Sequence, residues 1–432
     1  MTKTGTRVRN SQNIMQIKRD KYLQDLKDRI GNGMIKVITG LRRCGKSYLV
    51  FTIFKNFLLS EGIPEDHIIE MEFDREENAA YRDPGILLEY VKEHIRDQEN
   101  HYLFLDEVQM LRDFEGVLNS LLHTSNLDIY VTGSNSRFLS KDVLTEFRGR
   151  GDEVHVFPLT FQEAMQTYKG DMYHCWADYI TYGGMPLIWG MKSDQQKIKY
   201  LTDLYNKTYL SDILERNGIR KTEELEAILN ILASATGSLT NPSKIEATFK
   251  SVLKSKISRN TIVTYIEYLE DAFLINKANR YDVKGRKYIG SPLKYYYEDL
   301  GLRNARLGFR QTEQPHLMEN AIFNELLYRG YAVDVGVVEV RTRGQDGTQV
   351  RNRLEIDFVA NLGSKRYYIQ SAFRIPDEEK EEQEKRPLNS IDDSFKKIVL
   401  VRDVVKTSRD ENGIVTMSIY DFLLDRMSLE NC

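Results

Sequence analysis

The sequence predicts an α/β fold built on a parallel sheet and followed by smaller helical and α/β units. Three observations carry that prediction. Short apolar runs at residues 34–39 (MIKVIT), 102–105 (YLFL) and 128–131 (DIYV) alternate with segments of helical spacing, the strand–helix–strand pattern of parallel sheets. The first run enters a glycine-rich turn, Gly40-Leu41-Arg42-Arg43-Cys44-Gly45-Lys46-Ser47, and then SYLVFTIFKNFLL, apolar at helical spacing. The second run ends in two adjacent carboxylates, Asp106 and Glu107.

The turn has the form G-x-x-x-x-G-K-[ST] between a strand and a helix, the context a phosphate-binding loop requires. Glycines let backbone N–H groups wrap phosphates, and the helix N-terminus adds its positive dipole end. The binding segment is Gly40, Leu41, Arg42, Arg43, Cys44, Gly45, Lys46, Ser47 and Tyr48. Lys46 is expected to reach the β- and γ-phosphates and the Ser47 hydroxyl to ligate magnesium, so the expected ligands are ATP and Mg²⁺. A buried parallel strand delivers Asp106 and Glu107 at its carboxyl end, where ligands sit in open α/β sheets. Asp106 is the expected magnesium-shell residue, and Glu107 the group that orients the attacking water.

The strand at 128–131 continues into Thr132-Gly133-Ser134-Asn135. Ser134 or Asn135, with Thr132 behind, is the sensor candidate for the γ-phosphate; a strand-capping polar turn explains the same residues. RDFEGVLNSLLHTS supplies the crossover before this strand. HIIEMEFD at 67–74 suggests a strand inserted between the loop strand and the Asp-Glu strand, giving a P-loop NTPase sheet of the additional-strand type. Charge develops on the γ-phosphate during transfer, so an arginine is sought nearby. Arg150 is the first choice, ahead of Arg148, Arg137, Arg43 and Arg42, and sequence does not say whether it acts in cis or in trans.

Tyr22-Leu23, VITGLRRCGKS, YLFLDEVQ, VTGSNSRFLS, FRGR, VFPLTFQEA and YGGMP at 182–186 together form a specific set. The set resembles the prokaryotic AAA+-type ATPases in which a P-loop domain is joined to a C-terminal domain of unknown function. The resemblance spans most of the chain and is strongest over 20–190. It implies ATP binding, hydrolysis and a P-loop α/β sheet, and no particular biological role.

A middle segment reads as three helices, ELEAILNILASATG, NPSKIEATFKSVL with a capping Asn241 or Ser243, and a third opened by Ser258. FLINKANRYD and KYIGSPLKYYYED, joined by Lys284-Gly285-Arg286, complete a winged-helix plan. Residues 241–290 hold 10 Lys+Arg against 5 Asp+Glu, a local +5 in a chain of 61 Lys+Arg and 64 Asp+Glu. Lys254, Lys256 and Arg259 before the third helix, with Lys284, Arg286 and Lys287 at the wing tip, are candidate DNA phosphate contacts. A lid or interdomain brace is the competing use of the same unit.

Further on, Glu319 on an amphipathic helix, Glu355 and Asp357 on one strand and KRYYIQSAF on the next resemble a restriction-endonuclease-like domain. Its Glu-x-Lys positions read Gln370-Ser371-Ala372. Alanine cannot position an attacking water and glutamine is a weak metal ligand, so cleavage is not expected. A displaced lysine, Lys365 or Arg366, would be needed for it. PDEEKEEQEKR at 376–386 reads as a solvated helix face or loop.

At 432 residues, two to four domains are expected. They divide as 1–165 for the P-loop unit, 166–222 for a helical connector, 223–300 for the winged helix and 301–432 for the nuclease-like unit. The net charge of −3 excludes a polycationic nucleic-acid coat. No apolar run approaches a membrane span, the N-terminus lacks a signal-peptide core, and three scattered cysteines exclude a disulfide scaffold. A cytoplasmic location with no membrane partner is the resulting expectation, with oligomerisation left open. Cys44 lies within the phosphate loop, where alkylation is expected to block nucleotide. The functional expectation is an ATPase coupling turnover to rearrangement of the later domains. The alternatives are a nucleotide-switched DNA-binding regulator with slow turnover and a metal-dependent nuclease.

Overall fold

The computed structural model describes residues 17–133, 149–343 and 349–432. Strands β1 (Ile35–Thr39), β2 (Ile68–Glu72), β3 (His101–Asp106), β4 (Leu127–Thr132) and β5 (Gly151–His155) form one sheet, ordered β2-β3-β4-β1-β5. Every pairing in it is parallel. β1 and β3 are buried at every position, which is why their centres are apolar, interrupted in β1 only by Lys36, whose buried ammonium pairs with Asp128. The strand between β1 and β3 is β4, with Val131 opposite both Val37 and Leu105. This corrects the expectation for HIIEMEFD. β2 lies outside β3 at the sheet edge, where its partly exposed positions meet solvent.

Helices pack on this sheet as α1 (Asp20–Lys27), α2 (Lys46–Tyr48), α3 (Lys55–Ser60), α4 (Pro84–His94) and α5 (Phe114–Leu121). Between α2 and α3, residues Leu49–Phe54 wind as a π-helix. Asp83 caps α4 by accepting from Gly85 N–H, and Pro84 needs no donor partner at the first helical position.

The connector carries α6 (Phe161–Met165), α7 (Met172–Tyr182), α8 (Asp194–Leu204) and α9 (Ser211–Arg216). Thr160 and Glu163 close α6 with a reciprocal capping box. Then follow α10 (Thr222–Ser234), α11 (Pro242–Ser251) and α12 (Arg259–Asp271). Asn241 accepts from Lys244 N–H at 2.7 Å, which decides between Asn241 and Ser243 as the cap of α11, and Ser258 accepts from Thr261 N–H at 3.1 Å as expected. One continuous apolar core joins Phe54 and Leu204 to Leu225, Ile262 and Tyr297, so the P-loop unit, connector and three-helix unit share an interior.

The hairpin of β6 (Ile275–Asp282) and β7 (Lys287–Tyr297) does not stand free as a wing. After α13 (Leu300–Arg306) and α14 (Gln314–Tyr328) comes β8 (Ala332–Arg343), which pairs in parallel with β6 at Arg280 and Val335. With β9 (Gln349–Leu362), β10 (Lys365–Ala372), β11 (Lys396–Val401), β12 (Ser408–Arg409) and β13 (Val415–Ser418), they form one sheet ordered β12-β13-β11-β10-β9-β8-β6-β7. A boundary at 300/301 therefore cuts through a hydrogen-bonded sheet. The open edge of β6 is satisfied by β8 rather than left to solvent. Within PDEEKEEQEKR, residues from Glu378 belong to α15 (Glu378–Asn389), most of whose acids face solvent.

Candidate functional site: the phosphate loop and its acidic wall

The loop from β1 to α2 takes its shape from two glycines. Gly40 has φ +129, and a Cβ there would lie 2.2 Å from the Val156 carbonyl oxygen, so no other residue fits. Gly45, at φ +106, turns the chain into α2. Lys46 is almost wholly buried, and its ammonium donates to the carbonyls of Gly40 and Leu41 at 2.9 Å each. The Ser47 hydroxyl donates to Asp106 Oδ1 at 3.0 Å. Thr132, from the inserted strand β4, donates to the same carboxylate oxygen. Burial raises the Asp106 carboxyl, against the pull of those two hydroxyls.

Glu107 occupies the left-handed region at φ +51, and its backbone N–H donates to Thr132 Oγ1 at 3.4 Å. That turn carries its carboxylate, which accepts from Gln109 Nε2, into a cleft of about 450 Å³. Arg42, Asp74, Met110, Asp212 and Arg216 also line the cleft. One carboxylate oxygen from each of Glu72, Asp74 and Asp106 lies within 4.8 Å of the others. Such an all-oxygen set beside a serine hydroxyl suits a hard cation such as Mg²⁺. Glu72 and Asp74 were not singled out as site residues from sequence. The usable signal was a second strand ending in acids, and Glu72 pairs directly with Asp106.

The expected binding residues Gly40 to Tyr48 thus surround one loop, with Tyr48 partly open to solvent. The Arg42 guanidinium pairs with Asp212 at 2.9 Å, and Tyr209 donates its hydroxyl to the Arg42 carbonyl at 2.5 Å. No local pattern marks these contacts, because their partners lie about 170 positions away. Arg19 braces the loop from the other side. It donates to the Phe157 carbonyl at 2.7 Å and pairs with Glu163 at 3.1 Å. At the base of the loop, Thr39 Oγ1 and His155 Nδ1 are 3.0 Å apart, and His155 Nε2 is 3.1 Å from Glu298 at the end of β7.

Cys44 and Arg150 are placed differently from expectation. Cys44 is fully buried, its thiol donates to the Val156 carbonyl at 3.1 Å, and burial pushes that thiol up. Alkylation requires an accessible thiolate, which this burial disfavours. Arg150 precedes β5, and its carbonyl accepts from Ile35 N–H at the start of β1. The loop leaves the opposite end of β1, five residues away, or roughly 17 Å at 3.3 Å per residue. Arg150 therefore lies far from its own loop. Ser134, Asn135, Arg137 and Arg148 lie outside the described residues.

Lys254 and Lys256 ahead of α12 and Arg259 at its first position are exposed, as are Lys284, Arg286 and Lys287 at the hairpin tip. Lys284 shares a groove with Glu339, Arg341 and Asp392.

The second acidic cluster holds an unforeseen cation. Lys294 on β7, 4% exposed, lies 2.9 Å from Glu319, 2.8 Å from Glu355 and 3.5 Å from Asp357. Tyr296 donates to Glu319 at 2.7 Å, and Ser371 N–H to Asp357 at 2.8 Å. Burial opposes charge on Lys294, but the three carboxylates outweigh it and hold the ammonium protonated. Burial, then the neighbouring Glu319, raises Asp357. Lys365 pairs instead with Glu430 at 2.6 Å, and Arg366 donates to Asn361 at 2.7 Å, so neither displaced-lysine candidate reaches the cluster.

Residues 32–165 match the family described as an AAA domain, and residues 174–313 match a domain of unknown function. An uncharacterized protein of Haemophilus influenzae is 33% identical over 414 residues, covering 94% of this chain and 98% of the relative. An uncharacterized protein of Methanocaldococcus jannaschii is 28% identical over 86% of this chain and 81% of its own length. Among solved structures, the Aeropyrum pernix ORC1 protein in complex with DNA aligns at 12% identity and TM-score 0.29, covering 70% of this chain and 94% of that one. A STAND-class signal transduction ATPase from Pyrococcus horikoshii aligns at 14% identity and TM-score 0.27, covering 72% and 45%. No helix among the described residues is long and apolar enough to cross a membrane. With the AAA match lying over this loop and the Haemophilus relative aligned nearly end to end, the chain belongs to the AAA+-type P-loop ATPases, in a family whose later domain is of unknown function.

Proposed function

We propose that the protein hydrolyses ATP at this loop with Mg²⁺ and couples turnover to movement of the three-helix unit and the C-terminal sheet. The observation that carries the proposal is the Ser47–Asp106–Thr132 hydrogen-bonded set with Glu107 turned into the adjoining cleft. Ser47 and Asp106, with Glu72 and Asp74 beside them, would hold the magnesium ion. Bound there, the ion would neutralise charge on the β- and γ-phosphate oxygens. Lys46, already held by its loop carbonyls, exchanges those contacts for phosphate oxygens. Glu107 orients and polarises the water for in-line attack. Arg150, distant from its own loop, would act on the nucleotide of a neighbouring subunit.

Coupling is supported by the groups that touch the loop from outside the P-loop unit. Tyr209 and Asp212 hold Arg42, and Glu298 reaches Thr39 through His155. A loop that reorganises around phosphate therefore pulls on α9 and on the end of β7. Lys46→Ala is expected to abolish nucleotide binding or turnover. Glu107→Gln is expected to bind ATP while hydrolysis falls by roughly 10²–10⁴-fold. Wild-type protein that neither binds nor hydrolyses any nucleoside triphosphate would sink the proposal. Coupling itself predicts ATP-dependent change in hydrogen exchange over 205–216 and 287–300, and exchange unaffected there removes it.

A DNA-directed reading draws on the exposed Lys254, Lys256 and Arg259. Replacing all three with alanine should weaken DNA binding and flatten its salt dependence by about 0.9 in slope per lost phosphate contact. Unchanged affinity would assign the unit to bracing instead. Cleavage is disfavoured, because Lys294 lies among the three acids that a divalent ion would need.

A further inference from the structure

Strands β8 and β9 stay paired out to Arg343 and Gln349, further than either has another described strand beside it. β6 accompanies β8 only over 335–337, and β10 accompanies β9 only over 358–362. Residues 339–343 and 349–353 therefore leave the sheet as a two-stranded ribbon, roughly 17 Å long at 3.4 Å per residue.

The two faces of this ribbon differ. Val338 and Ile356 are fully buried in a cluster with Tyr368 and Val399, and Val340 packs against it. A pleated strand sends alternate residues to opposite faces, so these apolar positions turn the intervening ones outward. The outward face sets Glu339 opposite Arg353 and Arg341 opposite Arg351. All three arginines are exposed. Like charges directly across a strand pair destabilise it, and Arg341 with Arg351 is such a pair. Glu339 is the one acid at the ribbon positions, and its carboxylate lies 3.6 Å from Arg351 Nε. One carboxylate against three guanidiniums leaves these four side chains at +2. β6 runs parallel to β8, and Val283 N–H donates to the Val337 carbonyl at 3.0 Å. The hairpin tip carrying the exposed Lys284, Arg286 and Lys287 thus leaves the sheet at the same end as the ribbon.

We propose that this ribbon binds duplex DNA, its arginine face lying in the major groove. That groove is about 12 Å wide and admits a two-stranded β-ribbon. Guanidinium forks match phosphate oxygens and the acceptor edge of guanine, and a bound phosphate offsets the repulsion between Arg341 and Arg351. Duplex RNA is the poorer partner, because side chains cannot read its deep, narrow major groove. Single strands are held by stacking, and residues 338–343 and 349–354 include no aromatic side chain. The surface uses none of the α12 residues and does not depend on ATP turnover.

The test uses full-length protein and a fluorescently labelled DNA duplex a little over two helical turns long. Anisotropy is followed across a salt series, with duplex RNA and single-stranded DNA of the same length as competitors. In Arg341→Gln/Arg351→Gln/Arg353→Gln, affinity should fall by roughly tenfold or more and the salt dependence should flatten by about 0.9 in slope per lost phosphate contact. Lysine at the same three positions should keep most of that salt dependence, since the charge remains. The glutamine variant should unfold at no lower temperature than wild type, because the like-charge pair is gone; this shows that it is folded. Absence of duplex binding by wild type, undiminished affinity in the glutamine variant, or tighter binding of duplex RNA or single strands would overturn the proposal. If only Lys254→Ala/Lys256→Ala/Arg259→Ala weakens binding, the ribbon is excluded and the α12 reading stands.

Discussion

Replacing Lys294 by methionine removes one ammonium and leaves Glu319, Glu355 and Asp357 facing one another. The lysine is 4% exposed and the side chains of Glu319 and Asp357 are each 12% exposed, so water can do little to solvate the stranded charges. Breaking a buried ion pair from one side costs about 3–5 kcal/mol, because the penalty is that of the unpaired charge. Glu355, a third exposed, adds less than its distance suggests. The cost should fall on the elements the lysine joins: β7, α14 and β9. Hydrogen exchange of peptides covering 287–297, 314–328 and 349–362 reads it locally, avoiding a single unfolding free energy for a multidomain chain. At 1.4 kcal/mol per tenfold, exchange there should quicken by about two to four orders of magnitude at pH 8. The sign of the pH effect is fixed as well. Without the lysine, the folded cluster holds protons more tightly than the unfolded chain, so its stability is present at low pH and lost as pH rises. The defect should therefore shrink toward pH 5. Exchange unchanged at pH 8, or a defect that grows on acidification, would refute the argument.

Other outcomes follow from the same kind of reasoning. The Cys44 thiol, buried and pushed up, should react with iodoacetamide far more slowly in the native protein than in urea, by mass spectrometry; native reaction at the denatured rate would contradict its placement. Asp299 accepts from Gly184 N–H at 2.7 Å and Leu302 N–H at 2.9 Å, yet burial pushes its carboxyl up to about 6. Its folded state binds the proton more tightly than the unfolded chain, so its contribution is full below pH about 4 and is lost as pH rises through about 6, a change of roughly 3 kcal/mol. The Tm of wild type relative to Asp299→Asn should fall over that interval, and parallel pH profiles would rule this out. Gly40→Ala should disrupt the loop and lose nucleotide binding, because its Cβ meets the Val156 carbonyl; retained binding by equilibrium dialysis would count against the required close approach.

How much was legible in sequence differs from residue to residue. The loop from Gly40 to Ser47 was readable because glycine conformations, the lysine and the serine act within eight consecutive positions. Asp106 and Glu107 were readable because a buried parallel strand must be apolar, and its carboxyl end is where polar groups can emerge. The caps Asn241 and Ser258 were readable because each bonds three residues onward. The place of β4 was not, since parallel strands pair through crossovers whose destination leaves no mark in either strand.

By itself, then, the sequence determined the chemistry available at the phosphate loop and the succession of strands and helices. Tertiary structure alone decided which strand enters between β1 and β3, that the β6–β7 hairpin joins the C-terminal sheet, and that Lys294 meets acids 25 to 63 positions later. It also decided that Arg150 leaves its own loop while Tyr209 comes to it. The division has a physical cause. Backbone conformation and capping are set by neighbours a few residues apart, whereas ion pairs, buried lone pairs and sheet edges are satisfied by whatever the fold brings within about 3 Å.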